Sequence, residues 1–187
     1  MSAFFLCIVN PVAAIDVYPS QAQIQTTLDR VKNAAARRQP PETWYARFGG
    51  GGDLDSGGFL VTKIGALSVL ATHMALRGLE PSTADVALVM ESPTMLVSTA
   101  IFGDDPSFAM DSYMVLDQGG KTIKPVMVRF DGQADRSAVW PERPRFKAKV
   151  VASFAYADFD PSAETTITVY PAHGRAVSFS LDFARIE

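Results

Sequence analysis

Two histidines (His73, His173), one cysteine (Cys7) and three tight acidic pairs are the side chains whose types suit acid–base, nucleophilic or metal chemistry. The pairs are Asp53 with Asp55, Asp104 with Asp105, and Asp158 with Asp160. A nucleophilic triad needs a histidine beside its nucleophile and a third group to orient it, and no serine here stands in a G-x-S-x-G elbow. His73 lies in an apolar helical pattern and reads as a core or edge residue satisfied by a carbonyl; His173, in YPAHGR, reads as a solvated turn residue. Asp104-Asp105 precedes Pro106 and Asp160 precedes Pro161, which is turn chemistry: aspartate accepts from nearby backbone donors and proline fixes the next φ. A single cysteine excludes an intrachain disulfide and four-cysteine zinc sites.

The run FGGGGDLDSGGF, Phe48 to Phe59, holds the first acidic pair. It breaks the G-x-G-x-x-G spacing of a dinucleotide turn, and Gly52 and Gly57 are followed by Gly58 and Phe59 where a P-loop needs lysine and a hydroxyl. As a calcium loop begun at Asp53 it would place Asp55 third and Gly58 sixth. Ile64 then stands twelfth, where a bidentate glutamate must close the shell. The reading favoured for it is a mobile hinge, from glycine's backbone freedom. No catalytic residue, metal ligand or cofactor is assigned.

The residues put forward for binding are Trp140, Arg143, Asp104, Asp105 and His173. GQADRSAVWPERP, Gly132 to Pro144, is the longest polar connection, and its Trp140 and Arg143 are of the types that dominate binding energy at interfaces. Two readings of Trp140 stay open: a contact residue, or a ring folded back over the open end of the core.

The elements that must position these groups follow from periodicity. Ser20 with Gln23 is a capping box, and Ile24, Leu28, Val31 and Ala35 make one stripe, so a helix is expected from Gln21 to Arg38, closed by Pro40-Pro41. KIGALSVLATHMAL, Lys63 to Leu76, is apolar nearly all round and predicts a buried central helix with Gly78 as its cap. Lys63 and His73 interrupt it as a membrane span. Ser82 with Asp85 opens a shorter helix. Beyond Pro93 the pattern is alternating, with strands expected at about 95–102, 109–116, 121–130, 145–156, 165–170 and 176–183 and a hairpin turn at Asp117-Gln118-Gly119-Gly120. Pro125 marks its strand as an edge or a bulge. Phe146, Ala148, Val150, Ala152, Phe154 and Tyr156 fall on one face of the fourth strand, opposite Arg145, Lys147 and Lys149. The fold class predicted is α+β: N-terminal helices, then an antiparallel β-sandwich of about six strands, with a single curved sheet as the alternative.

At 187 residues, 48% hydrophobic and 20% charged, the chain suits one substantial domain. A net charge of −3 argues against a nucleic-acid partner, whose phosphates select cations. Ala3 to Val9 is apolar and Val12-Ala13-Ala14 offers a peptidase site, so residues 1–14 are expected to be a signal peptide. Residues 15–57 then form a helical arm with the hinge, and 58–187 the main α+β domain. The chain is not expected to span a membrane once the signal is removed.

The stretches GGFLVTKIGALSVLATHMALRG and VSFSLDFARIE resemble those of small exported proteins of Gram-negative bacteria without an established function. The resemblance implies export and a single α+β domain, and brings no site residues. The expected function is therefore a non-catalytic binding or interaction protein, periplasmic or envelope-associated, with an unidentified envelope protein or ligand as partner. The alternatives are a hydrolase built from Asp104, Asp105 or His173, and a structural subunit that pairs through an edge strand.

Overall fold

The computed structural model describes residues 15–186, so the expected signal peptide lies outside the described residues. Among the described residues three α-helices, α1 (Gln21–Ala36), α2 (Lys63–Ala75) and α3 (Thr83–Met90), accompany ten strands. These are β1 (Ala46–Gly49), β2 (Gly57–Val61), β3 (Thr94–Gly103), β4 (Tyr113–Gln118), β5 (Lys121–Ile123), β6 (Met127–Phe130), β7 (Asp135–Arg136), β8 (Phe146–Ala155), β9 (Glu164–Tyr170) and β10 (Val177–Asp182). One antiparallel sheet runs β1-β2-β3-β8-β6 with β7 also on β8; the other runs β10-β9-β4-β5. Between them sits the core, and the α+β class with a sandwich body is what the alternation required.

β3 and β8 pair over ten residues, Thr94↔Ala155 to Gly103↔Phe146, and form the spine. Met95, Val97 and Ile101 of β3 face inward with Ala148, Val150, Ala152 and Phe154 of β8. They meet Met114, Leu116, Ile167 and Val169 from the second sheet. Each large side chain fully removed from water here contributes about 1.5–3 kcal/mol.

The glycine run departs from expectation. It is the turn of a hairpin: β1 and β2 pair with Gly49↔Gly57 and Gly58 beside Phe48, and β2 continues onto β3 with Gly58↔Thr99. The boundary drawn at 57/58 thus falls inside β2, and Phe48 packs on Phe179 of the second sheet at 5.1 Å between ring centroids. Gly58 is glycine for lack of room, since a Cβ there would stand 2.2 Å from the Ser98 carbonyl oxygen. The segment expected as one strand at 121–130 divides at Lys124-Pro125, where β5 leaves one sheet and β6 enters the other. The strand expected at 109–116 begins later, at Tyr113, because Phe108 and Ala109 turn into the core.

The helices lie at the end where β2 stops and β3 starts. The Ser20–Gln23 capping box is present, but the buried stripe of α1 is Ile24, Thr27, Val31 and Ala34, with Thr27 Oγ1 donating to the Gln23 carbonyl at 2.8 Å. The helix ends at Ala36, earlier than expected, as Arg38 turns left-handed (φ 55°) and Gln39 N–H returns to Ala34 O. α2 is not buried all round: Leu67, Ser68, Ala71 and Thr72 pack inward, whereas His73 is exposed in its last turn with Leu76 just beyond. Trp44 Nε1 donates to Thr72 Oγ1 at 2.9 Å and ties the α1–β1 connection to this helix. α3 buries none of its residues, and Leu88 is 76% exposed. No helix among the described residues is long and apolar enough to cross a membrane.

Candidate functional site

Three loops gather at the end of the sandwich away from the helices: the one after β3, the one between β6 and β8, and the β9–β10 turn. Ala134 N–H donates to Pro106 O at 2.8 Å, and His173 N–H to Phe108 O at 3.3 Å. Phe108 plugs the core beneath, 2% exposed, against Gly103, where a Cβ would come 2.4 Å from its ring. All five residues singled out from sequence belong to these loops.

Their roles separate there. Asp104 faces Arg143, Oδ2 to Nε at 3.5 Å, and its Oδ1 accepts from Arg145 N–H at 3.4 Å. Asp105 Oδ1 accepts from the Ser107 hydroxyl at 2.6 Å and its N–H at 2.8 Å. The serine hydroxyl, then its backbone N–H, hold the Asp105 carboxyl below the usual carboxylate range, with a small contribution from His173. Trp140 is 46% exposed and lies outside the core, its ring stacked on the Arg136 guanidinium at 4.2 Å from the centroid. Phe108 therefore closes this end of the core, and Trp140 lies outside it beside Arg136.

Sequence reasoning missed Arg136, the partner that fixes the indole, although its i, i+4 spacing to Trp140 is visible. It also missed a cleft on the outer face of the first sheet. Register places Arg47, Phe59, Ser98, Val151 and Arg129 in one row across β1, β2, β3, β8 and β6. Gly57, Ala100 and Lys149 form the next, and Phe102 with Lys147 the one nearest the Trp140 loop. Small residues on the inner strands leave a floor between flanking cations; β1 and β8 are three strand spacings apart, about 14 Å. The cleft encloses 520 Å³ beside the glycine turn. Among the described residues no ion pair engages Arg47, Lys147 or Lys149; Lys147 Nζ lies 5.7 Å from the Phe102 ring centroid. Asp55, the one acid lining the cleft, accepts from Gly52 N–H at 3.0 Å within the turn.

Asp160 serves its own turn. It accepts from Ser162, hydroxyl at 2.7 Å and N–H at 2.8 Å, and those bonds hold its carboxyl low. Among the described residues no three His, Cys, Asp or Glu side chains gather as metal ligands.

No protein-family model matches this chain, and no curated protein matches it. Among solved structures it is similar to the archaellum periplasmic stator protein complex FlaF and FlaG from Sulfolobus acidocaldarius. That match has 16% identity and a TM-score of 0.30 over 48% of this chain and 78% of the other. A structure of the stator protein FlaG from the same organism gives 15% identity and a TM-score of 0.30 over 49% and 88%. Likeness of this degree carries no statement about what the present chain does.

Proposed function

We propose that this chain is an exported, non-catalytic interaction protein of the cell envelope, a member of the small Gram-negative family it resembles, and that it grips a partner through the loops around Trp140. The observation that carries this is an indole half exposed yet pinned on Arg136, since rigid aromatic and arginine groups dominate binding energy at protein contacts. Export rests on the apolar run and small residues of 1–14. The adjoining cleft, with Arg47, Lys147 and Lys149, favours a partner that presents acidic groups. A hydrolase from Asp104, Asp105 and His173 is less well supported, because both carboxylates are already engaged and Asp105 is held as an anion, opposite to a general acid. Pairing through an edge is weakened by short edge strands, three to six residues in β1, β5, β6 and β10.

The test is a photo-crosslinker placed at Arg143 in envelope preparations, with and without Trp140→Ala. The reading expects a discrete cross-linked species that disappears in the variant while the melting temperature moves by only a few degrees. A variant that loses as much stability as Phe108→Ala, or cross-linking indifferent to Trp140, would overturn it.

A further inference from the structure

At the opposite end of the sandwich a second cleft of 330 Å³ opens between α2, α3 and the outer face of the first sheet. Val61 and Leu96 wall it from the sheet and Ala66 and Val89 from the helices, while Thr62, Lys63, Ser92, Thr94, Ser153 and Tyr156 add the polar groups. Lys63 is 7% exposed, and its ammonium donates to the Met90 carbonyl at the end of α3. Its nitrogen also lies 5.4 Å from the Tyr156 ring centroid and 5.6 Å from that of Tyr18, and no carboxylate among the described residues pairs with it. Capping a helix C-terminus accounts for one of its three N–H donors. The Tyr156 hydroxyl is buried with no acceptor for its proton, the Lys63 backbone N–H lying toward its oxygen. Buried cations are ordinarily paired, so an ammonium with spare donors and no carboxylate, beside a cleft walled by aliphatic side chains, marks a place for an acceptor-only anion.

We propose that this cleft binds a medium-chain aliphatic carboxylate, whose oxygens accept from the Lys63 ammonium while the chain lies along Val61, Ala66, Val89 and Leu96. At about 30 Å³ per water-sized unit the cleft holds roughly eleven non-hydrogen atoms, near the size of a ten-carbon acid and at the lower end of ligand pockets. The inference is independent of the Trp140 surface, and its failure would leave that reading untouched.

The experiment is calorimetric titration of the full chain with monomeric decanoate, decanol and decyltrimethylammonium, beside flotation with phosphatidylglycerol vesicles. Expected is saturable one-to-one binding of decanoate tighter than about 1 mM. Decanol should be weaker by about tenfold or more, the size of one charge-assisted hydrogen bond. Lys63→Met should weaken decanoate by a similar factor and leave decanol unchanged, and Ala66→Leu, which fills the cleft, should abolish both. Should Lys63→Met fail to fold, the headgroup series on the unaltered chain and Ala66→Leu decide. Equal affinity for decanol and decanoate, no saturation, binding indifferent to Ala66→Leu, or association with vesicles alone would overturn the proposal.

Discussion

Replacing Gly58 by alanine separates a hairpin from a hinge. A Cβ at this position would lie 2.2 Å from the Ser98 carbonyl oxygen and 2.8 Å from Phe48 Cζ, about 1.2 Å short of ordinary contact with the backbone atom. Phe48 can rotate only against Phe179, 5.1 Å away, so the strain falls on the β2–β3 ladder. A separation of that size carries an N–H···O bond out of its working range of about 2.7–3.2 Å. Overpacking of this kind costs about 1–3 kcal/mol, and with a backbone obstacle the upper figure applies. For a chain of this length about 3 kcal/mol lowers the melting temperature by roughly 6–12 °C. Gly51→Ala is the control, because a Cβ there meets nothing within 4 Å, and its change should stay within about 0.5 kcal/mol. Urea denaturation followed by tryptophan fluorescence reads both midpoints. If Gly58→Ala unfolds at the same urea concentration as Gly51→Ala, the glycine run is a free linker and the account of the first sheet fails.

Burial pushes the Tyr156 phenol up to about 12, the Lys63 backbone N–H working against the rise. A raised acid keeps its full contribution below the unfolded value near 10 and loses it as pH climbs through 12, so about 2–3 kcal/mol should vanish across that window. Tyr156→Phe should remove this loss and leave stability at pH 7 equal or higher, as judged from denaturation midpoints against pH. Asp85, Asp105 and Asp160 are held low by Ser82, Ser107 and Ser162, hydroxyl first and then backbone N–H. Their stabilisation is present above the unfolded value near 3.8 and is lost as pH falls through the depressed folded values, so Ser107→Ala with Ser162→Ala should flatten the acid limb of the same curve. Arg143→Ala should change stability by no more than about 1 kcal/mol, since its pair with Asp104 is 3.5 Å long and solvent-exposed on both sides.

What could be read from the sequence was whatever depends on neighbours along the chain. Caps at Ser20 and Ser82, the left-handed glycines at Gly78, Gly119 and Gly120, and the alternation of Phe146 to Tyr156 are local rules, and each appears in the structure where they place it. The helix Lys63–Ala75 shows where such rules stop. Its composition records hydrophobicity on every side but not which sides find a partner, and with α1, α3 and the sheet end packed on it His73 and Leu76 still face solvent. The hairpin at the glycine run was illegible for a related reason, since composition cannot distinguish glycines that supply freedom from glycines that yield room, as Gly58 does to Ser98.

Both clefts depend on register between distant segments, which periodicity leaves open. Lys147 and Lys149 read as a wetted strand face, and only the β1–β2–β3–β8 order sets Arg47 across a glycine and alanine floor from them. Trp140 read as equally suited to lid and contact, and neither its stacking on Arg136 nor the Phe108 plug beneath the loops is carried by its own segment's pattern. Lys63 looked like a break in an apolar helix, and Tyr156 like one more inward residue of a strand. Neither the ammonium without a carboxylate nor the hydroxyl without an acceptor is a property of either segment alone. Such deficits arise where a helix end meets a strand end, so the unmet polar group, more than any motif, is the signal that separates a candidate site from a packed surface in this fold.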